Sequence, residues 1–378
     1  MAPTKLVLAT RMDFWRLGAG ARVRVLALVS YLGRITQLTV VYLGPVSAAD
    51  VQQTGRLGVR CEMVALDPRF PLTDAEYTRR FAALCAARRF DVCIIDRIGL
   101  SFLLDAVPPD TKTLLDTHDI VSDLGASMRK FGAAAEPGLD AAAEFAMFRR
   151  YDAVIAIQQY DYDLICAQLG GARTVLAPHP ALSSRRELRP VVSSIGFVAS
   201  GWKANVDGIA WFASDVWPLV RRPGIALDLF GWIAERWKPP QGEAIVAHGF
   251  RPDLDAVYRS IDIVINPVRY GAGLKIKTAE ALGNGLPLVT SSEGARGLHA
   301  IAGTAFLVAD SPADFAAHLN RLIDDHDARK ALGEAAYRFA EAHLSPQACF
   351  GALAREIHRP KLPGDRGRQE HPAEPGRI

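Results

Sequence analysis

The chain has 378 residues, 49% of them hydrophobic and 22% charged, with a net charge of +3. That is the composition of an ordinary globular protein of about two domains, and the small net charge does not by itself suggest a nucleic-acid partner, so none is expected. The five cysteines (Cys61, Cys85, Cys93, Cys166 and Cys349) are scattered, odd in number and lack a C-x-x-C pair, which argues against a disulfide framework or a zinc site and predicts free thiols in a reducing compartment.

In chain order, short apolar runs alternate with longer amphipathic stretches. Strands are predicted at Lys5–Ala9, Leu38–Leu43, Cys61–Leu66, Asp91–Asp96, Thr113–Leu115, Ala153–Ile157 and Thr174–Ala177, with helices between several of them, such as Arg22–Gly33 and Asp74–Arg89. The opening MAPTKLVLAT is too short for a signal peptide and reads as the first strand. The segment Pro178–Ser194 holds three prolines and a Ser-Ser-Arg-Arg run and breaks the rhythm, with 181–194 as the expected linker.

A second series follows. It has strands at Ser194–Ala199, Ala226–Phe230, Ala244–His248, Asp262–Asn266, Leu286–Thr290 and Ala305–Val308, and helices at Val206–Arg221, Leu254–Ser260, Lys275–Leu282, 312–325 and 327–343. The expected organisation is a first domain over 1–180, a second over 195–345, a helix over 346–358 packing back on the first domain, and a polar, Pro/Gly-rich disordered tail over 359–378. The fold class is α/β, with two doubly wound Rossmann-like domains facing across a cleft. Ligands of such sheets bind at the carboxyl ends of the strands. With no run of 18 apolar residues, a cytoplasmic protein is expected, with peripheral contact on the inner face of the membrane left open by the aromatic and basic strings Phe14-Trp15-Arg16 and Met128-Arg-Lys-Phe131.

The most informative string is NPVRYGAGLKIKTAEALGNGLPLVTSSEGARGL, residues 266–298. A buried strand ends in Asn-Pro, and the loop Arg269-Tyr-Gly271-Ala272-Gly273 lets backbone approach a ligand. From Leu274 a helix begins, whose free N–H groups and dipole make an anion site. Lys275 and Lys277 lie in that first turn, where the dipole disfavours cations unless an anion is bound. Glu280, one turn on, is placed to accept hydrogen bonds from ribose or sugar hydroxyls.

This string resembles the donor-binding signature of glycosyltransferase family 4 and its relatives (glycosyl transferases group 1), in the subset with G-x-G-L-K-x-K. The stretch IGFVASGWKANVDGIAWF at 195–212 resembles the first strand, loop and helix of that family's donor domain, with Lys203 near the diphosphate and Asn205 as the helix cap. Val246–Gly249 and Pro252–Tyr258 resemble the segments that hold the nucleotide base. The resemblance implies a GT-B fold and sugar transfer from a nucleoside diphosphate sugar to a glycan, lipid-linked or small-molecule acceptor in polysaccharide biosynthesis. It further implies retention, no metal and no cofactor. Lys275, Arg269 and the amides of Gly271–Leu274 would meet the leaving group. The sequence departs from the commoner pattern of two glutamates eight apart, since Ala272 stands where the first would be. A donor-binding protein without transfer, or an epimerase on the same fold, are the alternative expectations.

On the acceptor side, Leu17-Gly18-Ala-Gly20 follows the first strand and brings backbone toward the cleft, but it lacks the third glycine and the ribose acid of a dinucleotide fingerprint. Arg22 and Arg24 read as solvated. Asp116-Thr-His118-Asp119 follows a strand, so His118 is expected at the transferred sugar or the acceptor, with Asp119 orienting it or capping the next helix. The D-x-D at Asp161 and Asp163 reads as helix-start residues and not as a metal site.

Overall fold

The computed structural model describes residues 3–66, 72–134 and 139–361. The first domain carries β1 (Lys5–Thr10), α1 (Gly20–Ile35), β2 (Gln37–Tyr42), α2 (Ala48–Arg56), β3 (Glu62–Ala65), α3 (Asp74–Arg88), β4 (Val92–Asp96) and β5 (Lys112–Asp116). It continues through α4 (Val121–Lys130), α5 (Ala141–Phe148), β6 (Ala153–Ala156), α6 (Gln159–Leu169) and β7 (Thr174–Leu176). The second carries β8 (Ser194–Val198), α7 (Lys203–Trp211), α8 (Trp217–Val220), β9 (Ala226–Phe230), α9 (Ile233–Arg236), β10 (Ile245–Gly249), α10 (Leu254–Ser260), β11 (Ile263–Asn266), α11 (Ile276–Gly283), β12 (Leu288–Thr290), β13 (Leu307–Val308), α12 (Pro312–Asp324) and α13 (His326–His343). A last helix, α14 (Pro346–His358), follows.

All strand pairs are parallel, in the orders β3-β2-β1-β4-β5-β6-β7 and β10-β9-β8-β11-β12-β13. The order reverses beside β1 in one sheet and beside β8 in the other, which places a ligand crevice at the carboxyl ends of these strands and their neighbours β4 and β11. The central strands are near-continuous apolar runs because helices cover both faces. Leu6, Val7, Leu8 and Ala9 are all fully buried, as are Cys93, Ile94 and Ile95.

Side chains set several helix starts. Ser47 and Asp50 form a reciprocal capping box on α2, while Ser311 and Ser345 cap α12 and α14 just ahead of a proline. The helix expected over Val206–Arg221 is interrupted. Residues Phe212–Val216 form a π-turn between α7 and α8. Pro218, which lacks an N–H and crowds the preceding turn, supplies the reason.

α14 leaves the second domain and packs on α1 of the first, with Tyr31 and Phe350 rings 5.2 Å apart and Lys112 donating to the Glu356 carbonyl at 2.6 Å. The segment expected as a disordered tail begins docked, since the Lys361 ammonium reaches the carbonyls of Pro109 and Thr111. Residues 362–378 lie outside the described residues. Among the described residues no helix is long and apolar enough to cross a membrane.

Candidate active site

The carboxyl ends of the two sheets face each other around a cleft of about 470 Å³. Its first-domain wall comes from the loops after β1, β4 and β5. Its second-domain wall comes from the loops after β8, β9, β10 and β11 and the start of α11. The domains touch at its rim. Gly18 (φ +107°) lies so close to the second domain that a Cβ would sit 2.4 Å from the Trp232 indole nitrogen, and a Cβ on Gly20 would meet Ile276 at 3.4 Å. Gly273 (φ +65°) is the tightest point. A Cβ there would lie 2.3 Å from Asp119 Oδ1 and 2.6 Å from the His118 carbonyl. Only glycine accepts both that backbone conformation and that approach.

Lys277 and Glu280 stand on the cleft wall one turn apart on α11. Burial pulls the Lys277 ammonium down to about 7, helped by the positive charge of Lys275 and opposed by Glu280. Burial likewise pushes the Glu280 carboxyl up to about 7, against the Tyr258 hydroxyl, which donates to it at 2.8 Å, and the Lys277 charge. Burial thus shifts two neighbouring groups of opposite charge toward their neutral forms. Lys277 also donates to Asn205 Oδ1 and lies 4.9 Å over the Phe197 ring.

Lys275 lines the cleft but is engaged. Its ammonium bonds Glu293 Oε1 at 2.6 Å and the carbonyls of Ala272 and Gly273 at 3.1 and 3.2 Å. It therefore holds the glycine loop in shape. Ala272, Gly273 and Leu274 form the loop's buried floor, and Gly271 (φ +155°) gives its N–H to Ser127 of the first domain at 3.0 Å.

Three donor-side expectations change. Asn205 does not cap α7: Trp202 occupies that place, and Asn205 sits in the first turn, where its amide bonds Ser200 at 3.0 Å and its oxygen receives Lys277. Lys203 is exposed and reaches the Ala134 carbonyl at 2.6 Å, outside the cleft. Arg269 points away too, in a two-pronged pair with Asp207 at 2.8 and 3.0 Å and against the rings of Trp211 and Phe131. A linear sequence does not show which face of a loop each cation takes, and both partners, Asp207 and Ala134, are distant in sequence.

On the first-domain wall His118 is buried and adopts φ +58°, rare for a non-glycine residue. Its Nε2 lies 2.7 Å from Asp96 Oδ1 and 3.5 Å from Asp116 Oδ2. Its orienting carboxylate is therefore Asp96. Asp119, whose expected roles were this one or a helix cap, fills neither. The first amides of α4, those of Val121 and Ser122, bond the buried Glu144 carboxylate at 2.7 and 2.8 Å, and Asp119 faces Gly273. Burial alone would raise the Asp96 carboxyl, but the His118 imidazole, the Thr10 hydroxyl and the Arg97 charge more than reverse this and hold it below the usual range.

Arg24 is not solvated. It is buried, pairs with Asp116 at 3.2 and 3.3 Å and donates to the Pro178 carbonyl at 2.8 Å. Asp96, Asp116 and His118 offer three ligand atoms within 4.8 Å of one another. The fixed cations Arg24 and Arg97 beside them make this arrangement fit an oriented imidazole better than a further cation. Arg97, at φ +71° after β4, lines the cleft next to His118 and carried no sequence signal beyond following a strand. Arg22 pairs with Asp13, and Phe14 and Trp15 are buried loop anchors. Asp161 is a fully buried first-turn residue of α6 bonded to Gln158, with Asp163 bonded to Gln159.

Two Rossmann-like domains facing across such a cleft define the GT-B architecture of glycosyltransferase structures. HepE of Anabaena, solved with UDP and glucose, superposes with a TM-score of 0.71 at 13% identity, covering 94% of this chain and 99% of that one. Residues 192–325, within the second domain, match the family described as glycosyl transferases group 1. A 44.6 kDa protein of the cps region of Klebsiella pneumoniae is 27% identical over 164 residues, 40% of this chain and 42% of that one. A D-inositol 3-phosphate glycosyltransferase of Corynebacterium kroppenstedtii is 38% identical over 84 residues, 22% of this chain and 18% of that one. The chain thus spans less than half the length of these two curated relatives.

Proposed function

We propose that the protein is a glycosyltransferase of the G-x-G-L-K-x-K kind that moves a sugar from a nucleoside diphosphate sugar to a glycan, lipid-linked or small-molecule acceptor. Transfer proceeds with retention and without a metal or cofactor, at the cytoplasmic side of a polysaccharide pathway. The observation that carries this reading is the meeting of a glycine loop, the amino end of α11 and the half-neutralised Lys277–Glu280 pair on one wall of the cleft. A diphosphate at that helix end would restore the charge of Lys277, and a ribose would give Glu280 its hydrogen-bond donors.

The reaction breaks the bond between the anomeric carbon and the β-phosphate oxygen and forms one to an acceptor oxygen. Negative charge grows on the departing diphosphate, where the first-turn amides of α11 and Lys277 meet it. Lys275 acts by fixing the loop carbonyls, so the direct electrostatic role passes to Lys277. His118, held by Asp96, faces the sugar from the other wall. Asp119 and Glu280 are the carboxylates that line the cleft among the described residues. Glu280 is engaged by Tyr258 and Asp119 packs against Gly273. The retaining route that fits this arrangement has the acceptor attack on the face the diphosphate leaves, its proton passing to the departing phosphate oxygen.

The test is to incubate the protein with a panel of nucleotide sugars and measure nucleoside diphosphate release with and without EDTA. Release from one donor, unchanged by EDTA, is expected. Failure to bind any donor would overturn the reading, and loss of release with EDTA would overturn its metal-free part.

A further inference from the structure

The loop between β12 and β13 places one guanidinium where the two domains and the glycine loop meet. Arg296 is only 12% exposed at its side chain. It bonds the Asp123 carboxylate on α4 and lies 3.9 Å from Asp161 Oδ1 on α6, both in the first domain. The Tyr160 ring covers it at 4.4 Å. Its other arm donates to the Gly271 carbonyl at 3.4 Å and lies 3.8 Å from Glu293 Oε2. Neither Arg296 nor Asp123 lines the cleft.

Gly271 therefore has both backbone polar groups committed to contacts that depend on domain closure. Its N–H goes to Ser127 of α4, and its carbonyl goes to an arginine neutralised by first-domain carboxylates. The conformation so held, φ +155°, favours glycine, and a Cβ there would press at 3.2 Å on both Glu293 Oε1 and the Lys275 ammonium. We infer that Arg296 is a positioning residue that couples closure of the domains to the shape of the glycine loop. This rests on the reading of that loop as the donor site.

The coupling has a definite route. When the domains part, Arg296 loses Asp123 and Asp161. The nearest carboxylate left to it is Glu293, which also holds Lys275. Arg296 then draws Glu293 toward itself through Oε2, and Lys275, held on Oε1 of the same carboxylate, shifts with it and loosens its bonds to the Ala272 and Gly273 carbonyls. A buried cation deprived of partners is costly, so the closed arrangement is favoured only with the full set in place. Closure thus shapes the loop, and a ligand that needs the shaped loop favours closure by the same amount.

The experiment uses the full-length protein with Arg296→Gln, Arg296→Lys and Asp123→Asn. It reads nucleoside diphosphate affinity by calorimetry, turnover of the donor selected in the panel, and the radius of gyration by small-angle scattering. For Arg296→Gln the expected result is a roughly 10–100-fold fall in kcat, the range a misplacement of about 1 Å produces. The nucleotide Kd should rise as well, since a ligand that binds the shaped loop shares the free energy of closure, and the particle should be larger. Arg296→Lys should recover part of the loss, and Asp123→Asn should reproduce it from the facing domain if the first variant folds poorly. Wild-type kcat in Arg296→Gln, or a loss confined to Kd with unchanged scattering, would overturn the inference. A wild type that turns over no donor would refute the transfer reading, and the scattering of the variants would then decide the latch by itself.

Discussion

Replacing Lys277 with methionine separates what this lysine does for the ligand from what it costs the fold. The side chain keeps its length and loses its charge. In the free protein the ammonium is pulled from 10.5 down to about 7, so near neutrality it is charged only part of the time. A diphosphate against it supplies the missing counter-charge. One charge-assisted hydrogen bond contributes about 1.5–3 kcal/mol, which corresponds to nucleoside diphosphate binding weaker by roughly 10–150-fold. Turnover should fall further, by about 10²–10³, because the charge to be met grows as the bond breaks. Stability should move the other way. A lysine with a depressed pKa costs folding free energy below about 10.5, in full below about 7, and the cost fades as pH rises between the two. Discounted for partial exposure, its removal at pH 6.5 should contribute about 1–2 kcal/mol and raise the melting temperature by ~2–6 °C. Calorimetric titration with nucleoside diphosphates and thermal melts at pH 6.5 and 9.5 read both effects. Unchanged affinity in a variant that melts at or above wild type would refute the assignment of the anion to Lys277.

Glu280→Gln tests the neighbouring group. The carboxyl is raised from 4.5 to about 7, so ionising it costs the folded wild type stability as pH rises from about 4.5 through 7. Melts should show the variant equal to wild type near pH 4.5 and ~2–4 °C higher at pH 8. Nucleotide affinity should drop at pH 8 and change little at pH 6, where the wild-type group is already protonated; a loss equal at both would count against a carboxylate acceptor. Gly273→Ala should cost about 1–3 kcal/mol from its positive φ, and more from the 2.3 Å approach to Asp119. It should lower kcat at least tenfold by holding the domains apart. Wild-type kcat in that variant would mean the contact is not needed for turnover.

The strands were legible because a parallel sheet covered on both faces demands short unbroken apolar runs, and Lys5–Thr10, Val92–Asp96 and Ile263–Asn266 are written that way. The glycine loop and the start of α11 were legible because glycines, lysines and a helix start fall within ten residues. The groups that complete the site were not. Glu293 reaches Lys275 across 18 residues of chain, Asp96 reaches His118 across 22, and Arg24 reaches Asp116 across 92. Those pairings are made by the crossover connections, which bring strand ends together irrespective of distance in sequence. Eight positions before Glu280 stands Ala272, whereas the carboxylate that bonds the loop's Lys275 is Glu293, from the next strand's end. α2 escaped notice because AADVQQTGR carries no apolar stripe, and its capping box does the work instead.

The return of α14 to the first domain has a consequence for how the molecule is made. Phe350 packs under Tyr31 and Arg24, and Glu356 with its carbonyl neutralises the buried Lys112 at the start of β5. The first domain is therefore discontinuous, with the second threaded into it as an insertion. Domains commonly fold in the order of synthesis. Here the half that emerges first from the ribosome stays unfinished, with Lys112 unpaired and α1 uncovered, until residue 358 has been made. The second domain is complete before that point, so it is the one that can mature first.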